Sequence, residues 1–433
     1  AVAELVAAGA TWLGARDTVP AGTGLVVTSP GWRPDAPLLV DAADRGVEVV
    51  GEPELAWRLR APGPDGEPAP WLAVTGTNGK TTTVTMLEAI LLAAGRRAVA
   101  AGNVGRPLVE VVTALDEDGR PAYDVIAVEL SSFQLHWSSS IAPAAAAVLN
   151  VADDHTDWHG SFAAYRDAKA RILRHAPVAV ADAGDPVAAA LVAAHPHPVT
   201  VTLGEPAPGQ LGVRAGALVD RAFVAGPAGE LLLEAGGLQV PGPHNAVNAL
   251  AAAALARAIG IPAEAVGRGL AGFRGGAHRN VLVATVDGVD YVDDSKATNP
   301  HAAGASLAAY PRVVWIAGGL LKGADVDPLV AAVAPRLAGV VLLGRDRAQI
   351  AASLARHAPT VPVETVVSGD DDGMDGTGVT GEATMADVVA AAARLARPGD
   401  TVLLAPAAAS MDVFRDYGQR GRAFADAVRA LSR

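Results

Sequence analysis

The chain has 433 residues, of which 51% are apolar, and a formal net charge of −12. At roughly 100–200 residues per domain, this length suggests two to four domains, and three are expected. An acidic chain without a basic cluster excludes a typical nucleic-acid-binding protein. The sequence contains no apolar run of membrane-spanning length and no signal-peptide pattern, and the absence of cysteine excludes disulfides and thiol catalysis. We therefore expect a cytoplasmic protein without membrane insertion.

Residues 1–69 form the first predicted domain. A helix-like segment opens it, a short strand at 25–27 leads into the turn 28–31, and a helix and a strand follow between 38 and 50. A Pro/Gly-rich loop at 61–68 marks the predicted boundary. Seventy residues are few for a doubly wound nucleotide-binding unit, and no strand with a Gly-rich turn opens the segment.

The second predicted domain, residues 70–273, begins with a strand at 71–74, a Gly-containing loop and a helix at 81–94. Strands at 125–128 and 146–149 end in polar residues. Parallel sheets present ligands at the carboxyl ends of their strands, so this pattern predicts an α/β domain with its site at that edge. A long Ala-rich helix is predicted at roughly 244–259.

The third predicted domain, residues 274–433, alternates strands with helices and is again typical of an α/β fold with a parallel sheet. Its predicted strands are 289–292, 313–317, 340–343 and 401–404. Residues 368–383 are expected to form a flexible surface insertion.

Only four of the 34 basic residues are lysines, namely Lys80, Lys169, Lys296 and Lys322. An exposed charge tolerates exchange for Arg, whereas a site that needs a compact ammonium or a reactive amine does not. In a chain with this bias, each remaining Lys is a candidate site residue. The seven asparagines fall mostly beside the same segments.

The strongest motif lies between the strand at 71–74 and the helix at 81–94. Its backbone N–H groups and the helix N-terminus can cradle phosphates, Lys80 can reach the β- and γ-phosphates, and the Thr81 hydroxyl can ligate Mg²⁺. The spacing departs from the standard phosphate loop, so a chance Gly-rich turn is the alternative. The predicted phosphate-binding residues are Gly76, Thr77, Asn78, Gly79, Lys80, Thr81 and Thr82.

Two further groups follow the neighbouring strands. Glu129 ends one strand and is placed to hold Mg²⁺ by oxygen ligation, although an ordinary exposed Glu would look the same. His155, in an acidic segment after the next strand, can ligate a metal or bind a phosphate, with a structural His as the alternative. Lys169 lies on a predicted helix, where the bland interpretation is a surface Lys that extends to solvent. Asn245 is either a helix cap or a nucleotide contact.

Nine segments in this order resemble the Mur ligase family, and in particular its D-glutamate-adding members. The resemblance covers nearly the whole chain. It rests on GTNGKTT, ELSSFQL, NVADDHTD, YRDAKARI, GPHNAVNAL, HRN, DDSKATNP, GGLLKG and PAAASMDVFRDYGQRG.

The resemblance implies a three-domain architecture with a truncated N-terminal Rossmann-like domain, a central P-loop ATPase-like domain and a C-terminal Rossmann-like domain. It implies a ligase that uses ATP and two Mg²⁺ ions to add D-glutamate to UDP-N-acetylmuramoyl-L-alanine (UDP-MurNAc-L-Ala) through an acyl-phosphate, most simply as a monomer. Lys80, Glu129, His155 and Lys169 would be catalytic. Thr81, Glu129, His155 and a carbamylated Lys169 would bind metal.

The same resemblance implies two sets of binding residues. Those for ATP outside the phosphate loop are Asn245, Asn248, Arg279, Asp294 and Lys296. Those for the other substrates are Ser29, Pro30, Gly31, Asn103, Thr298, Lys322, Ser410, Met411 and Tyr417. Tyr417 stands where the family has Phe.

The family's first domain opens with a strand and a Gly-rich turn that this sequence lacks. We therefore expect an incomplete uridine pocket and weak binding of the first substrate beside an intact ATP site.

Two other interpretations remain open at this point. One is a different amide ligase of the same superfamily, such as a folylpolyglutamate-type or another muramyl ligase; DDSKATNP with GGLLKG favours D-glutamate, and the Asp-Asn-Pro-Arg expected of a diaminopimelate-adding enzyme is missing. The other is a non-catalytic P-loop nucleotide-binding module, which would need no second metal.

Overall fold

The computed structural model describes residues 2–366 and 379–431. They fall into two compact units. Of the described residues, the first unit contains those up to 234 and 249–269, and the second contains 235–248 and those from 270 onward.

The predicted surface insertion at 368–383 is only partly visible. Residues 368–378 lie outside the described residues, whereas 379–383 form the start of a helix. No helix among the described residues is long and apolar enough to cross a membrane.

The first unit contains eleven strands among its described residues. They are β1 (Leu25–Thr28), β2 (Glu48–Gly51), β3 (Trp71–Thr75), β4 (Ala98–Gly102), β5 (Val125–Glu129), β6 (Ala145–Val148), β7 (Ala179–Asp182), β8 (Pro198–Val201), β9 (Gln210–Arg214), β10 (Ala217–Asp220) and β11 (Glu230–Leu233). The parallel pair β1–β2 stands apart. The other nine strands form one sheet in the order β11-β10-β9-β8-β7-β6-β3-β5-β4.

The helices of the first unit connect these strands. They are α1 (Val2–Ala7), α2 (Pro37–Asp44), α3 (Glu52–Arg58), α4 (Lys80–Ala93), α5 (Leu108–Val112), α6 (Ser132–His136), α7 (Thr156–His159), α8 (Phe162–Ala170) and α9 (Pro186–Ala193). A 3-10 turn, Arg171–Leu173, follows α8. The division between the units falls within α10 (Pro243–Ala258) and α11 (Ala263–Gly272).

The centre of the nine-stranded sheet places the predicted site residues together. β3 lies between β5 and β6 and is parallel to both. Every residue of β3, β5 and β6 is buried, as expected for parallel strands covered on both faces. Because the three strands run in the same direction, Thr75, Glu129 and Asn150 lie at or just past the same edge, as the polar strand ends predict.

The second unit is built on a six-stranded sheet. Its strands are β12 (Val281–Val286), β13 (Val289–Asp293), β14 (Val313–Gly318), β15 (Leu337–Leu343), β16 (Val363–Thr365) and β17 (Thr401–Leu404), in the order β12-β13-β17-β14-β15-β16. Its helices are α12 (Pro300–Leu307), α13 (Asp327–Val333), α14 (Arg347–His357), α15 (Val379–Leu395) and α16 (Tyr417–Leu431), with a 3-10 turn at Ala334–Arg336. Only β12 is antiparallel to its neighbour, and an apolar cluster covers each face of the sheet. The predicted α/β class is confirmed in both units.

A buried carboxylate on α3 fastens the first segment to the sheet domain within the first unit. Glu54 is fully buried, and it accepts hydrogen bonds from the backbone N–H groups of Ser139 and Ser140 at 2.9 and 3.1 Å. It also accepts from the Ser140 hydroxyl and from Arg58 Nε. Burial alone would raise the pKa of Glu54, but the bonds from Ser140, Ser139 and Arg58 outweigh it and hold the pKa below its ordinary value.

We predict that Glu54→Gln lowers the free energy of unfolding by about 2 kcal/mol at neutral pH, because an amide presents a donor to N–H groups that need an acceptor. Since the pKa of Glu54 is lower in the folded state, its contribution is complete above the ordinary Glu range and is lost as pH falls through the folded pKa. Chemical denaturation across a pH series measures both effects. The control is Glu48→Gln, which removes an exposed partner of the same Arg58. An equal loss in both variants would contradict the proposed role of Glu54.

Candidate active site

A tight loop between β3 and α4 forms the phosphate-binding segment predicted from the sequence. It runs from Gly76 to Gly79 and leads directly into α4, so the N-terminus of this helix lies at the loop. Gly79 has φ 82°, a left-handed conformation that favours glycine and lets the chain turn directly into the helix.

Asn150 braces this loop from the end of β6. Its side-chain oxygen accepts from the backbone N–H of Asn78 at 2.8 Å, and its amide donates to the carbonyl of the same residue at 3.1 Å. The carbonyl of Asn150 also accepts from the Thr77 N–H at 2.9 Å. The loop is therefore held in shape without a ligand.

Two lysine ammonium groups converge on one carbonyl of the loop. Lys80 Nζ donates to the carbonyl of Gly76 at 2.9 Å, and Lys169 Nζ, reaching from α8, donates to the same oxygen at 2.7 Å. Lys80 also donates to the carbonyl of Thr77. The Lys80 ammonium gives the phosphate loop a positive pocket, and the Lys169 amine lies at the same carbonyl.

Lys169 is buried, with only 2% of its surface exposed, so the interpretation of it as a surface Lys is wrong. Burial, followed by the charge of Lys80, holds the pKa of Lys169 well below its ordinary value. Opposing, smaller effects come from Asp154 and Glu129. The Tyr165 ring lies 4.6 Å from the amine, and its hydroxyl bonds Thr77 Oγ1 at 2.9 Å. Burial therefore favours the neutral form of the Lys169 amine, which is the nucleophilic form.

Glu129, at the end of β5, is 1% exposed and joins two other predicted residues. Its Oε2 accepts from the Thr81 hydroxyl at 2.8 Å, and its Oε1 accepts from the Asn103 amide at 2.8 Å. The residues that follow it form a capping box at the start of α6, in which Ser131 and Gln134 bond each other's backbone N–H. The carboxylate is thus fixed between the phosphate loop and β4.

The Thr81–Glu129 pair fits a magnesium ion. Hydroxyl and carboxylate oxygens are the hard donors that Mg²⁺ prefers, and it takes few protein ligands beside phosphates and water. Among residues 2–366 and 379–431 there is no group of three or more His, Asp or Glu side chains able to hold a metal. A metal here must therefore draw on Thr81, phosphate oxygens or a modified side chain as well.

His155 lies close to the same lysines and begins α7. Its φ of 53° is left-handed, and its ring packs against Phe133 and Tyr165 with centroids 4.8 and 6.3 Å apart. Burial lowers its pKa; the charges of Lys169 and Lys80 lower it further, while Asp154 opposes them. The neutral imidazole that results is the form that can ligate a metal.

The turn with Ser29, Pro30 and Gly31 follows β1 and reaches the His155 segment. Arg33, just after the turn, donates to the carbonyl of Asp157 at 2.7 Å. The predicted first-substrate turn and the predicted metal ligand thus lie at the same end of the first unit.

The second unit gathers its own set of predicted residues after β13. Asp294 follows this strand, and burial raises its pKa from 3.8 to about 6; the charge of Arg279 partly opposes the shift. His278 Nδ1 bonds the carboxylate of Asp293 at 2.6 Å. Lys296 Nζ stands 3.9 Å from the centroid of the Tyr417 ring, a cation–π contact.

Asn245 and Asn248 lie in the first turns of α10, within the second unit. Each is 5% exposed, and the amide of Asn248 donates to the side-chain oxygen of Asn245 at 3.3 Å. Asn245 donates its own amide to the carbonyl of Pro241, and the helix already begins at Pro243. The interpretation of Asn245 as a helix cap is therefore wrong.

Two loops of the second unit bring the remaining predicted residues together. The backbone of Leu320, in the loop after β14, pairs with Ala409 in the loop after β17, which places the Lys322 loop beside Ser410 and Met411. Lys322 is exposed with φ 54°, Ser410 is buried and Met411 is exposed. Thr298 donates its N–H to the Lys296 carbonyl at 2.8 Å.

Close backbone approach requires glycine beneath these loops. A Cβ on Gly318 would stand 1.9 Å from the carbonyl oxygen of Leu343, and one on Gly319 would stand 2.2 Å from that of Ala409. Both glycines have strongly positive φ, so the Gly-Gly pair sets the path of the Lys322 loop.

Comparison with known proteins agrees with this geometry. Residues 74–256 match the Mur ligase middle domain, and residues 278–408 match the Mur ligase glutamate ligase domain. A UDP-N-acetylmuramoylalanine–D-glutamate ligase of Thermobifida fusca is 58% identical over 97% of this chain and 88% of its own length. The protein of that name in Mycobacterium tuberculosis strain CDC 1551 is 56% identical over 95% and 85%.

The chain belongs to the Mur ligase family.

Solved Mur ligase structures share its fold at low sequence identity. A UDP-N-acetylmuramate–alanine ligase from Thermotoga maritima aligns with a TM-score of 0.58 at 20% identity, covering 94% of this chain and 85% of that one. A MurF ligase from the same organism, solved in complex with ADP, aligns at 0.55 and 17% identity over 90% and 91%. The multi-domain Mur ligase architecture expected from the sequence is thereby confirmed.

Three features of this Mur ligase were not predicted from the sequence. They are the bracing of the loop by Asn150, the contact of Tyr165 with Thr77, and the burial of Arg420 beneath the second-unit loops. Asparagine scarcity was a usable signal for Asn150. Tyr165 and Arg420 lie inside motifs that the sequence did single out, but their contacts depend on long-range packing.

We predict that Asp294→Asn stabilises the unliganded protein in a pH-dependent way. Because the pKa of Asp294 is raised in the folded state, folding favours its neutral form, and the parent loses stability as pH rises from about 4 through about 6. The variant has no such charge, so its advantage should grow by about 2–3 kcal/mol across that range. Denaturation of both proteins at several pH values measures this.

The same substitution at the exposed Asp287 is the control and should follow the parent at every pH. If the difference in the free energy of unfolding between Asp294→Asn and the parent were the same at every pH, the carboxylate would not be destabilised by burial.

Proposed function

We propose that this Mur ligase adds D-glutamate to UDP-N-acetylmuramoyl-L-alanine at the expense of ATP, in peptidoglycan precursor synthesis. The observation that carries the proposal is the convergence of Lys80 and Lys169 on the Gly76 carbonyl, beside the Thr81–Glu129 pair. A phosphate loop, a fixed carboxylate and a buried amine together suit phosphoryl transfer to a carboxylate better than nucleotide binding alone. The relatives at 56–58% identity carry the name of this reaction.

The first half-reaction joins two anions. An oxygen of the terminal L-alanyl carboxylate attacks the γ-phosphorus of ATP, the bond to the β-phosphate oxygen breaks, and an acyl-phosphate and ADP form. Lys80 would leave its backbone carbonyl partners and follow the β- and γ-phosphates, while the loop N–H groups bind phosphate oxygens. The positive pocket lowers the repulsion between carboxylate and phosphate.

Thr81 and Glu129 would hold Mg²⁺ next to the phosphates, with Asn103 orienting Glu129. A second ion would use His155 and Lys169. When bound, the metal supplies charge neutralisation of the phosphoryl group.

Lys169 would serve as a carbamate. Its neutral amine attacks the carbon of CO₂, a C–N bond forms, and one proton leaves to solvent, which gives a carboxylate-like group. Its burial and lowered pKa support this role because only the unprotonated amine reacts.

In the second half-reaction, the amine of D-glutamate attacks the acyl carbon. The tetrahedral intermediate expels phosphate as the C–O bond breaks, and the amine loses its proton, leaving an amide. We assign the binding of D-glutamate to Thr298, Lys322, Ser410, Met411 and Tyr417. Asn245, Asn248, Arg279, Asp294 and Lys296 are assigned to the nucleotide.

The turn at Ser29, Pro30 and Gly31 is assigned to the diphosphate of the first substrate, with Asn103 nearer its muramoyl part. We place the reaction in the cytoplasm, where ATP and nucleotide-linked precursors are found. Two statements from the sequence remain predictions. They are that the protein is a monomer and that its domain boundaries lie at residues 69 and 273.

We predict that the complete mixture of ATP, Mg²⁺, UDP-N-acetylmuramoyl-L-alanine and D-glutamate yields the amide, with one ADP and one phosphate per product. Omitting any one component should abolish product, as measured by mass spectrometry and phosphate release. L-Glutamate and diaminopimelate are the control acceptors. A preference for either of them would overturn the assignment of substrate, and ATP binding without turnover would favour a non-catalytic module.

We predict that Lys169→Arg loses most of the turnover although it keeps a positive charge, because a guanidinium forms no carbamate. Incubation of the parent with ¹³C-bicarbonate should give a carbamate carbon signal by NMR that is absent from the variant. ATP binding, followed by isothermal titration, should change far less than turnover. Full turnover in Lys169→Arg, or no carbamate signal in the parent, would rule out this role.

A further inference from the structure

A buried arginine in the second unit has no role in the reaction described so far. Arg420, in the first turn of α16, is 1% exposed. Its Nε and one terminal nitrogen donate to the hydroxyl and the carbonyl of Ser295 at 2.9 and 2.8 Å. Its other terminal nitrogen donates to the carbonyl of Ala408 at 3.1 Å.

This guanidinium is costly to bury. Within the part of the chain that the structure describes, no carboxylate oxygen lies within ion-pairing distance of it, and all three of its acceptors are neutral. The more distant Asp412 and Asp293 favour its charge, while burial lowers its pKa to about 10, which still leaves it protonated at neutral pH. Even a buried ion pair can often be replaced by apolar side chains of similar volume without loss of stability. Space filling alone therefore does not explain Arg420.

The oxygens that accept hydrogen bonds from Arg420 belong to the two loops that carry the proposed D-glutamate site. Ser295 lies three residues before Thr298, and Ala408 comes two residues before Ser410. The Ser295 hydroxyl, which accepts from Arg420, donates in turn to the carbonyl of Tyr417 at 2.8 Å. One planar side chain thus joins the loop after β13, the loop after β17 and the start of α16.

We infer that Arg420 is a positioning residue. It fixes the spacing between the loop after β13, which carries Thr298, and the Ser410–Tyr417 segment, and so aligns D-glutamate for attack. The inference rests on the proposed function. It assigns the effect to the rigid fork of the guanidinium rather than to its charge, because the three bonds run to two separate loops in fixed directions. A misplacement of about 1 Å in such a site can cost about a hundredfold in rate.

Arg420→Met and Arg420→Lys test this inference by steady-state kinetics. We expect both to raise the KM for D-glutamate and lower kcat, with a combined loss in kcat/KM of about tenfold to about a hundredfold. Because Ser295 lies between Asp294 and Lys296, which are assigned to the nucleotide, the KM for ATP should rise as well, but by a smaller factor than the KM for D-glutamate. If Arg420→Lys kept the kinetics of the parent, the effect would come from the positive charge, and the proposed role of the planar guanidinium would be wrong.

Arg429→Met is the matched control, because it makes the same substitution on the same helix at an exposed pair with Asp426. It should keep the parent's kinetics. A merely structural Arg420 would lower the melting temperature of Arg420→Met while leaving both KM values and kcat unchanged, and that result would overturn the inference.

Ser295→Ala keeps the inference testable if Arg420→Met does not fold. It removes the hydroxyl that links Arg420 to Tyr417 and should raise the KM for D-glutamate in the same direction, by a smaller factor. The double variant should be no worse than Arg420→Met alone, because both changes break one network. Unchanged kinetics in Ser295→Ala would refute the inference. If the parent itself shows no D-glutamate-dependent turnover, the proposed function fails first and the inference falls with it.

Discussion

The Gly76 carbonyl is the point on which the first unit's chemistry depends. It receives the ammonium groups of Lys80 and Lys169 within 3 Å of its oxygen, so two like charges share one neutral acceptor. Such an arrangement is tolerable only if one amine gives up its proton or an anion arrives. Burial lowers the pKa of Lys169 and so favours loss of its proton, and the phosphates of ATP would be the anion. The resting geometry is thus prepared for anionic ligands.

The second unit also buries a basic side chain, but it stabilises that side chain in a different way. Arg420 stays charged and donates its hydrogen bonds to the neutral oxygens of Ser295 and Ala408. These bonds hold the two loops in a fixed geometry. In the first unit a buried amine provides a reactive group, and in the second a buried guanidinium holds loops in place. Both lie under loops at the carboxyl ends of parallel strands, which is where α/β sheets leave backbone groups free to bind ligands.

Much of this could be predicted because the sequence marks it locally. The strand, loop and helix around Lys80 follow from Gly placement and apolar spacing, and the strand ends at Glu129 and Asn150 follow from a polar residue after an apolar run. Burial of Lys169 could not be predicted from helical periodicity, since only packing of α8 against the phosphate loop decides it. The short strands from β7 to β11 and the edge strand β12 carry weak alternation and were not recognised. The contact of Arg420 with Ser295 joins positions 125 residues apart, which no local pattern encodes.

The two glycines under the Lys322 loop restrict how this enzyme could change its choice of amino acid. A side chain at Gly318 or Gly319 would collide with the main-chain oxygen of Leu343 or Ala409, which strand pairing holds in place. The backbone beneath the proposed D-glutamate site therefore does not admit a side chain at either glycine. New acceptor preferences, or resistance to a compound lodged there, would have to arise through the side chains of the rim.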